Sequence, residues 1–321
     1  LNGDSDSTLD TNDYITFASG ITLNSAADIS LSAANGGMNA AGALTLTTPS
    51  SITLTGNMTA AGAVALTANS GISLNNSIST SSGVLNINAN SSTLSLASGI
   101  TLSSAGALTL AAGSTSSSGV LNLTSTASTI NVNNKLVSTG AINMSAASGL
   151  TLSNNTLTAA GNISLEADST NSGSGQLTLA SGTTMTSSAG SITLGATTGG
   201  ISSAGSLTLN ALNGVTVGDS LTTAGAVNID ADTDNNGSGD FTISTGSLST
   251  TNNALTVTAN DLVLSGTLDS GTGSTTINVS DGASLGVGFS SGFGMNLTTT
   301  EQAKLVGTGD LRLVNGSITF S

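Results

Sequence analysis

The chain has 321 residues, 17 of them acidic and three basic, for a formal net charge of −14; it has no His, Cys or Trp, one Tyr, one Pro and 41 Gly. Without imidazole or thiol there is no nucleophile, general base or zinc site of those kinds, and three cations are far too few to neutralise a nucleic-acid backbone, so nucleic acid is not an expected partner. Hydrophobic residues make up 37% of the chain, but no run approaches the roughly 20 apolar residues of a membrane helix, so no membrane span is expected.

In chain order, residues 1–14 are an acidic lead-in carrying Asp4, Asp6, Asp10 and Asp13, read as a cap on the first repeat or a segment that docks on another subunit. The chain opens on Leu1 with no basic-then-apolar leader, which is expected of a processed protein or a fragment.

Residues 15–280 repeat one element: a short strand of alternating apolar residues, preceded by Gly or Ala-Gly and followed by Ser, Thr or Asn. Ala43-Leu44-Thr45-Leu46, Ala63-Val64-Ala65-Leu66 and Ser206-Leu207-Thr208-Leu209 are examples. Leu44–Leu46, Ile52–Leu54 and Met58 are followed by Val64–Leu66, Ile72–Leu74 and Ile78. Three strands per cycle predict an all-β, right-handed parallel β-helix (β-solenoid) with three short strands per turn of about 20–21 residues, about 13 turns and about 60 Å of length at ~4.8 Å per turn.

A longer period lies over the short one. Ile15-Thr-Phe17-Ala-Ser-Gly20-Ile-Thr-Leu23 matches Leu94-Ser-Leu96-Ala-Ser-Gly99-Ile-Thr-Leu102, and both match Leu177-Thr-Leu179-Ala-Ser-Gly182-Thr-Thr-Met185. Each copy precedes what reads as a shortened turn: Leu31 to Leu46, Leu110 to Leu123 and Leu194 to Leu209. Two related inserts, 166–175 and 230–239, lengthen other turns. From 281 to 321 the pattern weakens, and less regular carboxy-terminal turns are expected.

The period accounts for the composition. Ser, Thr and Asn total 138 residues. In stacked turns each outward position lies one strand spacing from its copy, where a repeated charge repels itself and a hydroxyl or amide does not. Thr45 and Thr109 are expected to be exposed. The outward row of one face reads Thr45, Ala65, Asn86, Thr109, Asn122, Asn143, Ser164, Thr193, too mixed for the flat threonine face that ice binding needs.

The Ala-Gly-x-Leu-Thr-Leu and Ser-Gly-Ile-Thr-Leu units, over about residues 15–280, resemble those of the filamentous-haemagglutinin-like adhesins, large secreted β-solenoids of bacterial surfaces. The segment Gly292-Phe-Gly-Met-Asn-Leu297 through Leu305 is similar to the spacers of such chains, in which a short helical or irregular turn returns to strands. The resemblance implies an extracellular or cell-surface passenger segment or stalk, structural and adhesive, with a host or neighbouring cell surface or a glycan as partner. The alternative is a subunit that stacks end to end with itself into an extracellular filament or matrix fibre.

Three groups of residues are candidate sites. Asp232, Asp234, Asn236 and Asp240 alternate around Gly237 like the oxygens of a calcium loop, without the bidentate Glu that closes one; the bland reading is a solvated loop. Tyr14 and Phe17 near one end, with Phe289, Phe293 and Phe320 near the other, stand where an end-to-end interface would be built. No catalytic group and no cofactor other than calcium is expected, because the run from Ile29 to Leu165 holds no acid and a single Lys, and the chain is read as a non-enzyme.

Overall fold

A computed structural model describes residues 1–3, 13–33, 35–314 and 317–321. Of the acidic lead-in, Asp4, Asp6 and Asp10 lie outside the described residues. The fold is all-β: three parallel sheets of short strands form a β-solenoid of about 13 turns, and among the described residues the only helix is the turn Thr299–Gln302. No helix among them is long and apolar enough to cross a membrane. The residues fall into two compact units, Leu1–Asn154 and Asn155–Ser321.

In the first unit successive strands go to the three sheets in rotation. Tyr14–Phe17 is on the first, Ile21–Asn24 on the second and Ile29–Ser32 on the third; Gly37–Ala40 returns to the first. All pairs are parallel and in register, so inward residues stack into ladders. On the second sheet Leu23, Leu46, Leu66, Ile87, Leu110, Val132 and Leu152 are successive partners. On the third, Ile29, Ile52, Ile72 and Leu94 lead to Thr115 and Leu136. Nearly all these side chains are buried, each contributing about 1.5–3 kcal/mol of apolar transfer.

Buried hydroxyls close the corners. Ser104 donates to the Gly106 carbonyl at 2.6 Å, Ser125 to the same carbonyl at 2.8 Å, and Ser117 and Ser138 share the Gly119 carbonyl at 3.0 and 2.6 Å. The side chains lie inside the chain's bend and satisfy turn carbonyls that no ladder bond reaches. They had no sequence signal of their own, since Ser is equally common on the outer face.

The second unit continues the same scheme by itself. Ile163, Ile192, Val215, Phe241 and Leu262 form an inward ladder of the first sheet, with Phe241 fully buried. After Val279 the sequential order breaks. Leu285–Val287 is flanked by Met295–Leu297 on one side and Ile318–Phe320 on the other, all parallel. The chain therefore advances, folds back through 288–294, and then advances again. Gly286 makes this possible, because a Cβ there would meet the Phe293 ring at 2.2 Å. Thr298 and Glu301 then form a reciprocal capping box that starts the helical turn.

Three sequence expectations are corrected. The shortened turns are not turns: Leu110 pairs with Val132, and Leu123 with Leu102 on another sheet. Counting Leu110 to Leu123 as one turn therefore jumped a face. For the same reason the outward row after Thr109 continues to Asn131 and Thr151, whereas Asn122 and Asn143 follow Thr101 on the first sheet. Thr45 and Thr109 are half-buried rather than exposed, since each lies between the side chains above and below it.

Candidate functional site

The insert 230–239 is organised around one carboxylate. Asp232 is fully buried; its Oδ1 accepts from the Asn236 amide (3.2 Å), and its Oδ2 from the Gly237 amide (2.9 Å) and the Ser280 hydroxyl (2.6 Å). Burial acts to raise the Asp232 carboxyl, but the Ser280 hydroxyl and these amides outweigh it and hold it below its ordinary value of 3.8. Asp234 and Asn236 stand in the same loop, with the Asn236 side-chain Nδ2 donating to Asp234 at 2.8 Å. Asp240 is turned to another rung, accepting from Asn260 at 2.9 Å. Of the four residues proposed from the sequence, the loop thus brings three together and directs the fourth elsewhere. Among the described residues no group of three or more His, Cys, Asp or Glu is placed to hold a metal.

The insert 166–175 is the same device. Asp168 accepts from the amides of Ser172 (2.9 Å) and Gly173 (2.8 Å) and from the hydroxyls of Ser172 (3.0 Å) and Thr198 (3.3 Å). Asn171 and Asn235 share a φ of 54°, and Gly173 and Gly237 have φ of 79° and 78°. Gly175 and Gly239 must lack a side chain, because a Cβ would lie 2.0 and 1.9 Å from the carbonyls of Ala167 and Ala231. Four of the positions at which the two inserts agree, Asp168/Asp232, Asn171/Asn235, Gly173/Gly237 and Gly175/Gly239, build the loop.

Near the fold-back, Asp261 accepts from the amides of Leu262 (3.0 Å) and Asn296 (3.3 Å). Burial, reinforced by the carboxylates of Glu301 and Asp240, pushes it above its ordinary value.

The aromatic residues divide. Phe17 is a core residue, 6% exposed. Phe289 and Phe293 pack on each other, ring centroids 4.9 Å apart, within the fold-back. Tyr14 and Phe320 are open to solvent, 55% and 69% exposed.

Tyr14 heads the only feature of the first unit in which an exposed ring meets a surface groove among the described residues. Its register partner is Gly37, where a Cβ would press on the Asn57 carbonyl at 2.7 Å, and a shallow hollow lies beside the ring. Tyr14, Gly36, Asn39, Asn57 and Thr59 line this hollow; Asn57 and Thr59 also line the next one, with Ser77, Ser79, Thr101 and Ser103. Two outward rows form its walls. One row is braced: Ser77 donates its amide to Asn57, Thr101 its amide to Ser77, Asn122 its side chain to Thr101 and Asn143 its side chain to Asn122. In the other, the side chains of Asn39, Thr59, Ser79 and Ser103 are register partners and make no hydrogen bond among the described residues. The groove was not legible in sequence, because it depends on which Ser and Thr share a face.

Comparison of the chain with protein-family models, with curated proteins and with solved structures found no match.

Proposed function

We propose that the chain is an extracellular structural and adhesive β-solenoid of a bacterial surface, a stalk or passenger segment of the filamentous-haemagglutinin-like kind, without catalysis. The observation that carries this reading is the bracing of outward side chains from rung to rung, Asn57 through Ser77, Thr101 and Asn122 to Asn143. Side chains spent in this way stiffen a stack, and the same rung can be repeated to any length. Loops such as 230–239 are then displayed from a firm support. Antibodies raised against the purified chain are expected to label intact source cells or to find the chain in the medium, and beads coated with it are expected to retain target cells. Antigen reached only after lysis would sink the reading.

A second reading, end-to-end self-assembly, is favoured by the rung at 305–320. Its strands Leu305–Val306, Leu311–Val314 and Ile318–Phe320 are each the last of their sheet. They leave Leu311 50% and Phe320 69% exposed on register positions that are interior in the rung before. An open rung of this kind accepts a further parallel rung, whether from more of the same chain or from a second copy.

A further inference from the structure

We propose that the groove of the first sheet, from Tyr14 across Asn39, Asn57 and Thr59 to Ser79 and Ser103, binds a neutral polysaccharide lying along the stacking direction, with one sugar ring on the face of Tyr14. The inference deepens the adhesive reading by naming the ligand class, and rests on that reading for the surface that presents the ligand.

The chemistry of the groove selects the ligand. Met38, Met58 and Ile78 form a buried floor, and every other lining side chain is an uncharged hydroxyl or amide, apart from the one ring. The net charge of −14 repels polyanions, which removes nucleic acids and acidic glycans, and the groove offers no cation to a phosphate or carboxylate. An apolar helix or peptide would bury Asn39, Thr59, Ser79 and Ser103 without partners, which is costly. A polyhydroxylated chain gives each of them a donor or an acceptor. Its sugars also carry apolar C–H faces, which suit the exposed ring of Tyr14. The two connected hollows are about 330 and 410 Å³, within the range of small-ligand sites. Strand spacing sets hydrogen-bonding side chains at intervals of about 4.8 Å, so successive sugars of an extended chain meet successive rungs. The grooves of the third sheet in this unit, over Ser73, Ser95 and Ser116 and over Ser51, Ser70 and Ser92, are of similar size, about 450 and 280 Å³, but no aromatic ring lines them.

The chain supplies its own reporter: Tyr14 is the one tyrosine, and there is no tryptophan. The full chain is titrated with cellohexaose, laminarihexaose and maltohexaose while tyrosine emission is followed, and affinity is measured by calorimetry. At least one hexasaccharide is expected to change the emission with a Kd of ~1 mM or below. Tyr14→Ala is expected to weaken binding about tenfold. Thr59→Glu, which puts a side chain across the groove, is expected to abolish it, and Ser95→Glu on the third sheet to bind as the parent does. Silence with all three sugars, or binding that survives both Tyr14→Ala and Thr59→Glu, overturns the proposal. Bead adhesion separates the two readings. Cells retained equally by the parent and the doubly substituted chain, with Tyr14 silent, remove the groove and leave adhesion standing. Sugar bound at Tyr14 with no cells retained does the reverse.

Discussion

Asp28 shows how one side chain serves this fold. It stands at a corner of the first unit and accepts the amide of Ser51 (3.0 Å) and its hydroxyl (2.8 Å), together with the hydroxyl of Ser50. These bonds tie one rung to the next. The Ser50 hydroxyl first, then the Ser51 amide and hydroxyl, lower its carboxyl from 3.8 to about 2. A carboxyl depressed on folding stabilises the fold above its unfolded value and loses that contribution as pH falls through the folded one. The contribution of Asp28 is therefore complete above 3.8 and lost towards about 2. Asp28→Asn is expected to be less stable than the parent at neutral pH, and the gap in urea midpoint should close as pH falls through that window. A gap independent of pH would assign the effect to shape rather than charge.

At the scale of elements, the two inserts are the clearest case of design shared between distant segments. Each is held by a buried carboxylate that collects amides the backbone cannot otherwise satisfy. Replacing it with Ala leaves at least two such amides open, at about 1–3 kcal/mol each. Asp232→Ala is expected to release 233–238 while the ladder beneath stays folded. Faster hydrogen exchange at Asn236 and Gly237 and new proteolytic cleavage within the loop, with little change in the global midpoint, are the measurements. The strands themselves were fully legible: Leu44-Thr-Leu46 and its kin carry the period of two, and their recurrence near 20 residues forced a stacked fold. Pairing between faces was not. Leu110 to Leu123 looked like one short turn because all three faces use the same apolar-x-apolar code, so spacing alone does not say which face a strand joins. The calcium pattern was ambiguous for a related reason. An Asp that collects backbone amides and one that binds a cation occupy the same kind of turn.

For the molecule as a whole, the interior ladders reach a rung where Leu311 lies open on the strand that pairs with Thr275–Val279, Leu311 being the register partner of the buried Thr275. Parallel strands offer hydrogen bonds on both edges, so a bare rung with apolar side chains is a surface for association. If a second copy covers it, sedimentation of the parent chain is expected to show concentration-dependent assembly, and electron microscopy filaments. Leu311→Lys, which sets a charge on the open core, is expected to leave single chains. A parent that sediments as a monomer at every concentration, or a variant that assembles equally well, would remove the end-to-end reading.

The three copies of the Ala-Ser-Gly motif show what a gene encoding such a chain can do. Gly20, Gly99 and Gly182 share a φ of 76°, and the next turn's Gly42, Gly119 and Gly205 press onto Ser19, Ser98 and Ser181 at each. Yet the strands that lead into them, Tyr14–Phe17, Thr93–Leu96 and Leu177–Leu179, belong to the first, third and second sheets. Each copy comes eleven strands after the last, the first, twelfth and twenty-third in order, one strand short of four full cycles. Duplicating such a block is thus also a rotation: everything downstream is re-aimed by a third of a revolution. The twin acidic loops show the same slip over a shorter span: eight strands apart, one short of three cycles, one leaves a strand of the first sheet after Glu166 and the other a strand of the third after Asp230. A lineage that gains or loses a single strand can therefore swing a whole set of displayed loops to a new bearing without altering one residue within them.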